Sequence, residues 1–156
     1  MTQEKIYYLS KKGLQNLKKE YEDLKNIRIL KTKGDVPSVL ESEDLNPEYL
    51  SFQEDLNLLE TRLIELDDVF KNVKIIKAPD KKKQNIIDVG AKVFVEINNK
   101  EKDKFEIVGT LEADPELGKI SNESPVGEVL MGHKAGDKIT ISFPIKTSYK
   151  IKEVKY

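Results

Sequence analysis

The chain has 156 residues, 38% hydrophobic and 35% charged, which suits one domain of ordinary size or two small ones rather than a single large core. Lys+Arg 27 against Asp+Glu 28 gives a formal net charge of −1, so bulk electrostatics single out neither nucleic acid nor a membrane surface. The absence of cysteine excludes disulfides and thiolate metal sites, and one histidine leaves zinc sites and Cys/His or Ser/His catalysis without their parts.

Residues 1–25 alternate apolar and charged side chains, with no signal-peptide core, and no apolar run is long enough to span a bilayer. The expectation is a soluble, cytoplasmic protein with no membrane partner. A first helix is predicted from a cap at Ser10 to about residue 33, where Gly34 and Pro37 stop it. Leu14, Leu17, Tyr21 and Leu24 are spaced 3, 4, 3; the next seam position is Arg28, with Ile27 and Ile29 beside it. A second helix is predicted over 47–73. Asn46 can cap it, Pro47 suits its first position, and Leu45 can staple onto Leu50. Tyr49, Phe52, Leu56, Leu59, Leu63, Leu66, Phe70 and Val73 form an unbroken heptad stripe along it.

The first helix is rich in lysine, whereas residues 41–68 hold Arg62 as their one base among many acids. Opposite charge and a short connection favour an antiparallel hairpin; separate packing of each helix on the rest of the protein is the alternative. The fold-back midpoint falls near 41–42, so the acids Glu41, Glu43 and Asp44, with Asp35 nearby, lie at the tip. Such a cluster is either plain solvation or an open carboxylate set able to share a hydrated Mg²⁺ that another protein holds.

KAPDKKKQN, 77–85, reads as a linker, and its lysine run 81–83 as solvation. Beyond it the period becomes two. Lys92–Ile97 and Lys104–Thr110 suggest one β pair, Ile139–Phe143 and Tyr149–Val154 another, with a short helix at Val126–Met131. His133, ahead of a turn at Gly136-Asp137, reads as a solvated turn residue, and no glycine-rich phosphate loop occurs. The predicted class is α+β: an antiparallel coiled-coil domain over 1–76 with a tip loop at about 34–46, the 77–85 linker, and a small, mostly antiparallel β domain over 86–156.

YLSKKGLQNLKKEYEDLK, NPEYLSFQEDLNLLETRLIELDDVFKNVKII and IVGTLEADPELGKISNESPVGEVLMGHKAGDKITISFP resemble the Gre family of bacterial transcription factors over nearly the whole chain. The resemblance implies an FKBP-like second domain that binds RNA polymerase, and a coiled coil that enters the polymerase's secondary channel. It further implies stimulation of the polymerase's own cleavage of backtracked RNA at its 3′ end. Mg²⁺ would be held at the polymerase active site, with none bound by the isolated chain, which would not itself be an enzyme. By the same resemblance Asp44, Glu41 and Glu43 are the candidate catalytic residues, with Asp44 and Glu41 sharing the Mg²⁺. Asp114 (in EAD), Ser124 and Pro125 (in SP) are the candidate polymerase contacts. Read from the residues alone, Asp114 is a turn former and Ser124-Pro125 a rigid turn.

The tip departs from the family's G-D-L-x-E-N-A-E-Y pattern. Asn46–Tyr49 match its end, but in that alignment Leu45 and Ser42 stand where the pattern has Glu and Asp. A non-cleaving regulator or inhibitor occupying the same channel is therefore the second expectation. A peptidyl-prolyl isomerase is a third; five Phe, six Tyr and no Trp are thin material for its aromatic pocket.

Overall fold

The computed structural model describes residues 3–142 and 144–156, apart from the side chain of Glu41. The predicted strand end at Phe143 and the first two residues of the predicted helical domain lie outside the described residues. The chain divides into two units. One holds residues 12–72, and the other holds 5–11 together with 73–156. The sequence-based boundary at 76 thus differs from the observed division, which takes the segments on either side of the helices into the β unit.

Helix α1 runs Lys11–Lys33 and helix α2 Pro47–Lys71. They are antiparallel, because cross-helix partners run in opposite sequence order. Arg62 Nε meets Glu20 Oε1 at 2.7 Å, Lys31 Nζ meets Asp55 Oδ2 at 3.4 Å, and the Tyr21 and Phe70 rings meet edge-on at 5.4 Å. The heptad stripe is the buried face of α2: Leu59, Leu63 and Leu66 are buried, with Tyr49, Phe52, Leu56 and Phe70 half-buried beside them. Val69 joins them, one step off the predicted seam.

In α1 the seam keeps its 3, 4 phase through Arg28 and Lys31, both half-buried, while Ile27, Ile29 and Leu30 are exposed. The phase set by Leu14, Leu17, Tyr21 and Leu24 wins over local hydrophobicity. Arg and Lys have stems long enough to cover apolar surface while their charges reach outward. Lys31 does so, its ammonium lying 6.0 Å from the Phe52 ring centroid as well as near Asp55.

The second unit is built on a five-stranded sheet. In chain order its strands are β5 (Lys92–Ile97), β6 (Glu101–Val108), β7 (Lys119–Ser121), β8 (Lys138–Ile141) and β9 (Thr147–Lys155). The spatial order is β7-β6-β5-β9-β8, antiparallel except for the β6–β7 pair. One face is apolar: Val93, Val95, Ile107, Ile139 and Ile151 pack with Ile87, Ala91 and Leu130. Leu130 comes from α3 (Pro125–Leu130), which matches the predicted short helix.

Besides β7, two more strands of this unit escaped the sequence reading. β1 (Tyr7–Leu9) lies parallel to β4 (Val73–Ile75), with Tyr7 opposite Val73 and Leu9 opposite Ile75. Leu9 is fully buried, and the Ser10 N–H and hydroxyl donate to Glu112 Oε2 and Oε1 at 2.7 and 2.5 Å. Gly109 lies so close beneath Tyr8 that a Cβ there would meet the Tyr8 carbonyl oxygen at 2.0 Å. Lys81–Lys83, in the predicted linker, make a single 3₁₀ turn of exposed side chains. His133 is in a turn, with Nδ1 3.1 Å from Asp137 Oδ2.

Candidate functional site

At the apex of the helical hairpin the predicted loop contains a small antiparallel β-hairpin. β2 (Leu40–Glu41) pairs with β3 (Asp44–Leu45), placing Leu40 opposite Leu45 and Glu41 opposite Asp44. Ser42 and Glu43 form the two-residue turn. Ser42 takes φ +58°, a left-handed conformation that commonly falls to Gly or Asn. The acids are therefore arranged by a turn with a defined register.

Asn46 fastens that turn to the helix. Its side-chain oxygen accepts from the Glu48 N–H at 3.0 Å, as an N-cap should. Its side-chain NH₂ donates to the Ser38 carbonyl at 2.9 Å, and its own N–H to the Val39 carbonyl at 3.0 Å. Sequence reasoning assigned Asn46 only the cap, because the other two bonds depend on how the preceding segment folds back. Leu45 and Leu50, the expected staple pair, are 56% and 47% exposed.

Glu43 and Asp44 are exposed, and neither carboxylate has a hydrogen-bond or ion-pair partner among the described residues. The Glu41 backbone lies opposite Asp44; its side chain is outside what is described. Asp35 is exposed on the approach to the hairpin. Two open carboxylates fit a hydrated Mg²⁺, which takes one or two from protein and keeps waters for the rest. No group of three or more potential metal ligands occurs among the described residues.

The other predicted site residues bracket the edge strand β7. Asp114 caps a 3₁₀ turn at Pro115–Leu117: its side chain accepts from the Glu116 N–H at 3.2 Å, and its backbone exchanges hydrogen bonds with Lys119. Past the other end of β7, the Ser124 hydroxyl donates to the Ser121 carbonyl at 2.7 Å and accepts from the Gly127 N–H at 3.0 Å. Pro125 follows, exposed, at the first position of α3. Asp114 and Ser124 thus stand in turns, as read from the residues alone, and each also caps the short helix that follows it.

Among the described residues no helix is long and apolar enough to cross a membrane. The family described as "Transcription elongation factor, N-terminal" matches residues 7–75, and "Transcription elongation factor, GreA/GreB, C-term" matches residues 81–156. Transcription elongation factor GreA of Clostridium acetobutylicum is 37% identical over 159 residues, covering 99% of this chain and all of its own length. GreA of Bacillus subtilis is 35% identical over 147 residues, 92% of each chain. The solved GreA factor homolog 1 (Gfh1) of Thermus thermophilus aligns with 97% of this chain and 100% of its own, at 22% identity and a TM-score of 0.43. With both of its halves matched and relatives aligned nearly end to end, this chain belongs to the GreA/GreB family of transcription elongation factors.

Proposed function

We propose that this chain binds RNA polymerase, enters its secondary channel with the helical hairpin leading, and stimulates the polymerase's Mg²⁺-dependent cleavage of backtracked RNA. One observation carries the reading: the turn at the hairpin apex sets Asp44 opposite Glu41 and leaves the Glu43 and Asp44 carboxylates exposed and unpaired among the described residues. Family membership supplies the setting.

In this reading the chain has no nuclease activity of its own. Asn46 holds the turn, and the turn presents Asp44 and Glu41 to an Mg²⁺ shared with the polymerase, with Glu43 beside them. What such an ion supplies when bound is polarisation of a phosphoryl oxygen and acidification of a coordinated water. The carboxylates of this chain would hold the ion and orient the attacking water, which is mainly a gain in positioning. Asp114, Ser124 and Pro125, along the β7 edge, would make the polymerase contact.

The test is a stalled, backtracked elongation complex with Mg²⁺. The factor should shorten the RNA from its 3′ end, and Asp44→Ala should slow this at least about tenfold, the order expected from losing one positioned metal-binding group. A second reading is favoured by Ser42 and Leu45, which occupy the positions where the family pattern has its acids. It predicts polymerase binding and altered synthesis with no shortening at any Mg²⁺ concentration, and that result would remove the cleavage reading.

A further inference from the structure

The face of the five-stranded sheet opposite the apolar core is a second charged surface, and its sign is positive. Cross-strand register decides which side chains share it, because residues directly opposite one another project to the same side. Phe94 on β5 stands opposite Lys104 on β6, with Lys92 opposite Glu106 and Glu96 opposite Lys102. On the other side of β5, β9 places Lys155 opposite Lys92, Glu153 opposite Phe94 and Lys150 opposite Glu96. The register slips between Phe94 and Val95, so Lys152 is an extra residue on β9. Its ammonium reaches this face, 2.8 Å from Glu96. Lys119 and Lys138 extend the face to the edge strands.

Lysines therefore outnumber glutamates on this face by eight to three, although the whole chain is nearly neutral. Seven of the eight lysines are exposed, Lys119 being half-buried. Ion pairs engage Lys152 with Glu96 and Lys155 with Glu153, which leaves the other six, Lys92, Lys102, Lys104, Lys119, Lys138 and Lys150, without a carboxylate partner among the described residues. The Glu96 carboxyl is held below its usual range, first by the Lys152 hydrogen bond and charge, then with help from Lys150 and Lys102. An aromatic ring lies at the centre. Phe94 is half-buried, with the ammoniums of Lys104 and Lys155 at 5.6 and 5.5 Å from its centroid.

We propose that this outer sheet face binds single-stranded RNA, with lysines tracking the phosphates and Phe94 stacking against a base. Charge complementarity selects an anionic polymer. The central aromatic selects one with flat rings to stack, which a purely acidic protein surface lacks. Lysine ammoniums are point charges with no bidentate base readout, so the surface is indifferent to sequence. In a factor of transcript elongation the single strand at hand is RNA, and the Thr140–Ser148 pair on this face offers hydroxyls to a 2′-OH. The surface belongs to the β unit and needs neither the acidic tip nor the polymerase, so its failure would leave the cleavage reading untouched.

The test is fluorescence anisotropy of the full chain with a labelled 12-nucleotide U-rich RNA, from 25 to 200 mM salt, without polymerase. Binding should weaken with a log–log salt slope of about −3, as for four or five phosphate contacts by a single strand. The double variant K104Q/K150Q should lower affinity about tenfold and flatten the slope by about 1. Phe94→Ala should lower affinity about tenfold with little change in slope. Since Phe94→Ala could loosen the sheet, Phe94→Leu is measured beside it and should also weaken binding while keeping the melting temperature. No binding at 25 mM salt, or K104Q/K150Q binding as the parent does, overturns the proposal. So does equal affinity for DNA of the same sequence, or for a polyglutamate peptide.

Discussion

Asn46 joins three partners with one amide side chain and one backbone N–H: the start of α2 and the Ser38 and Val39 carbonyls. Those carbonyls lie just ahead of β2, so the bonds that cap the helix also set where the acidic turn stands. Asn46→Ala should remove the cap and the side-chain bond to Ser38, at about 1–2 kcal/mol locally, the usual range for losing an N-cap. The effect should be confined to the apex, because the buried contacts of α2 begin at Leu59, more than three turns on. Amide exchange is the direct readout. Protection should fall over residues 39–50 and hold over 59–70, and a uniform loss along both helices would show that the clasp is not local. Asn46→Asp separates the two roles, since it keeps the capping oxygen and gives up the donor to Ser38.

Along the helical hairpin, the acidic α2 carries one base ahead of its last turn, Arg62, and that base makes the closest cross-helix ion pair among the described residues. Arg62 meets both Glu20 oxygens, through Nε at 2.7 Å and Nη2 at 3.2 Å, and reaches Glu65 within its own helix. The fork geometry suits a carboxylate as no lysine can. The side chain is 39% exposed, so solvent screening keeps the pair to about 0.5–1 kcal/mol. Arg62→Lys should lose most of that, and Arg62→Met about as much while keeping the apolar stem. The check is thermal unfolding of the helical signal at low and high salt. The parent-to-variant gap should narrow as salt rises, whereas a salt-independent gap would mean that Arg62 acts through packing.

The same scale shows what was legible in the sequence. The heptad stripe, Asn46 and Pro47 fixed α2 nearly to the residue, because cap, first-turn proline and seam are all local signals. Lys92–Ile97 was equally plain, since six alternating residues suffice to show a period of two. β1, β4 and β7 were not, because three residues carry no period, and β1 and β4 find each other only across the two helices between them. At the apex, position was legible from charge and helix ends, but the turn was not. Its register depends on Asn46 reaching back to Ser38 and Val39, and Ser42 has to adopt a backbone conformation its side chain disfavours. The basic sheet face was hidden for a related reason: its lysines are scattered in sequence and converge only through strand pairing.

For the whole molecule, the way the chain enters and leaves its helices matters more than the linker read at 77–85. β1 precedes α1, β4 follows α2, and the two pair with each other within the β unit. A fragment cut at the sequence-based boundary, 77–156, would lack both strands. It would lose Leu9, which is fully buried, leave Glu112 without the two Ser10 donors, and expose the backbone at Gly109 that Tyr8 covers. Removing a side chain like Leu9 alone costs about 2–5 kcal/mol. For a domain of this size each kcal/mol moves the midpoint by about 4–8 °C. The 77–156 fragment should therefore melt at least about 10 °C below the β unit of the intact chain. Residues 5–11 joined by a short Gly/Ser linker to 73–156 should recover most of the difference. Equal melting of the 77–156 fragment and the intact chain would show that β1 and β4 are passengers. If the joined version alone is rescued, the folding unit of the C-terminal half includes residues from before the first helix.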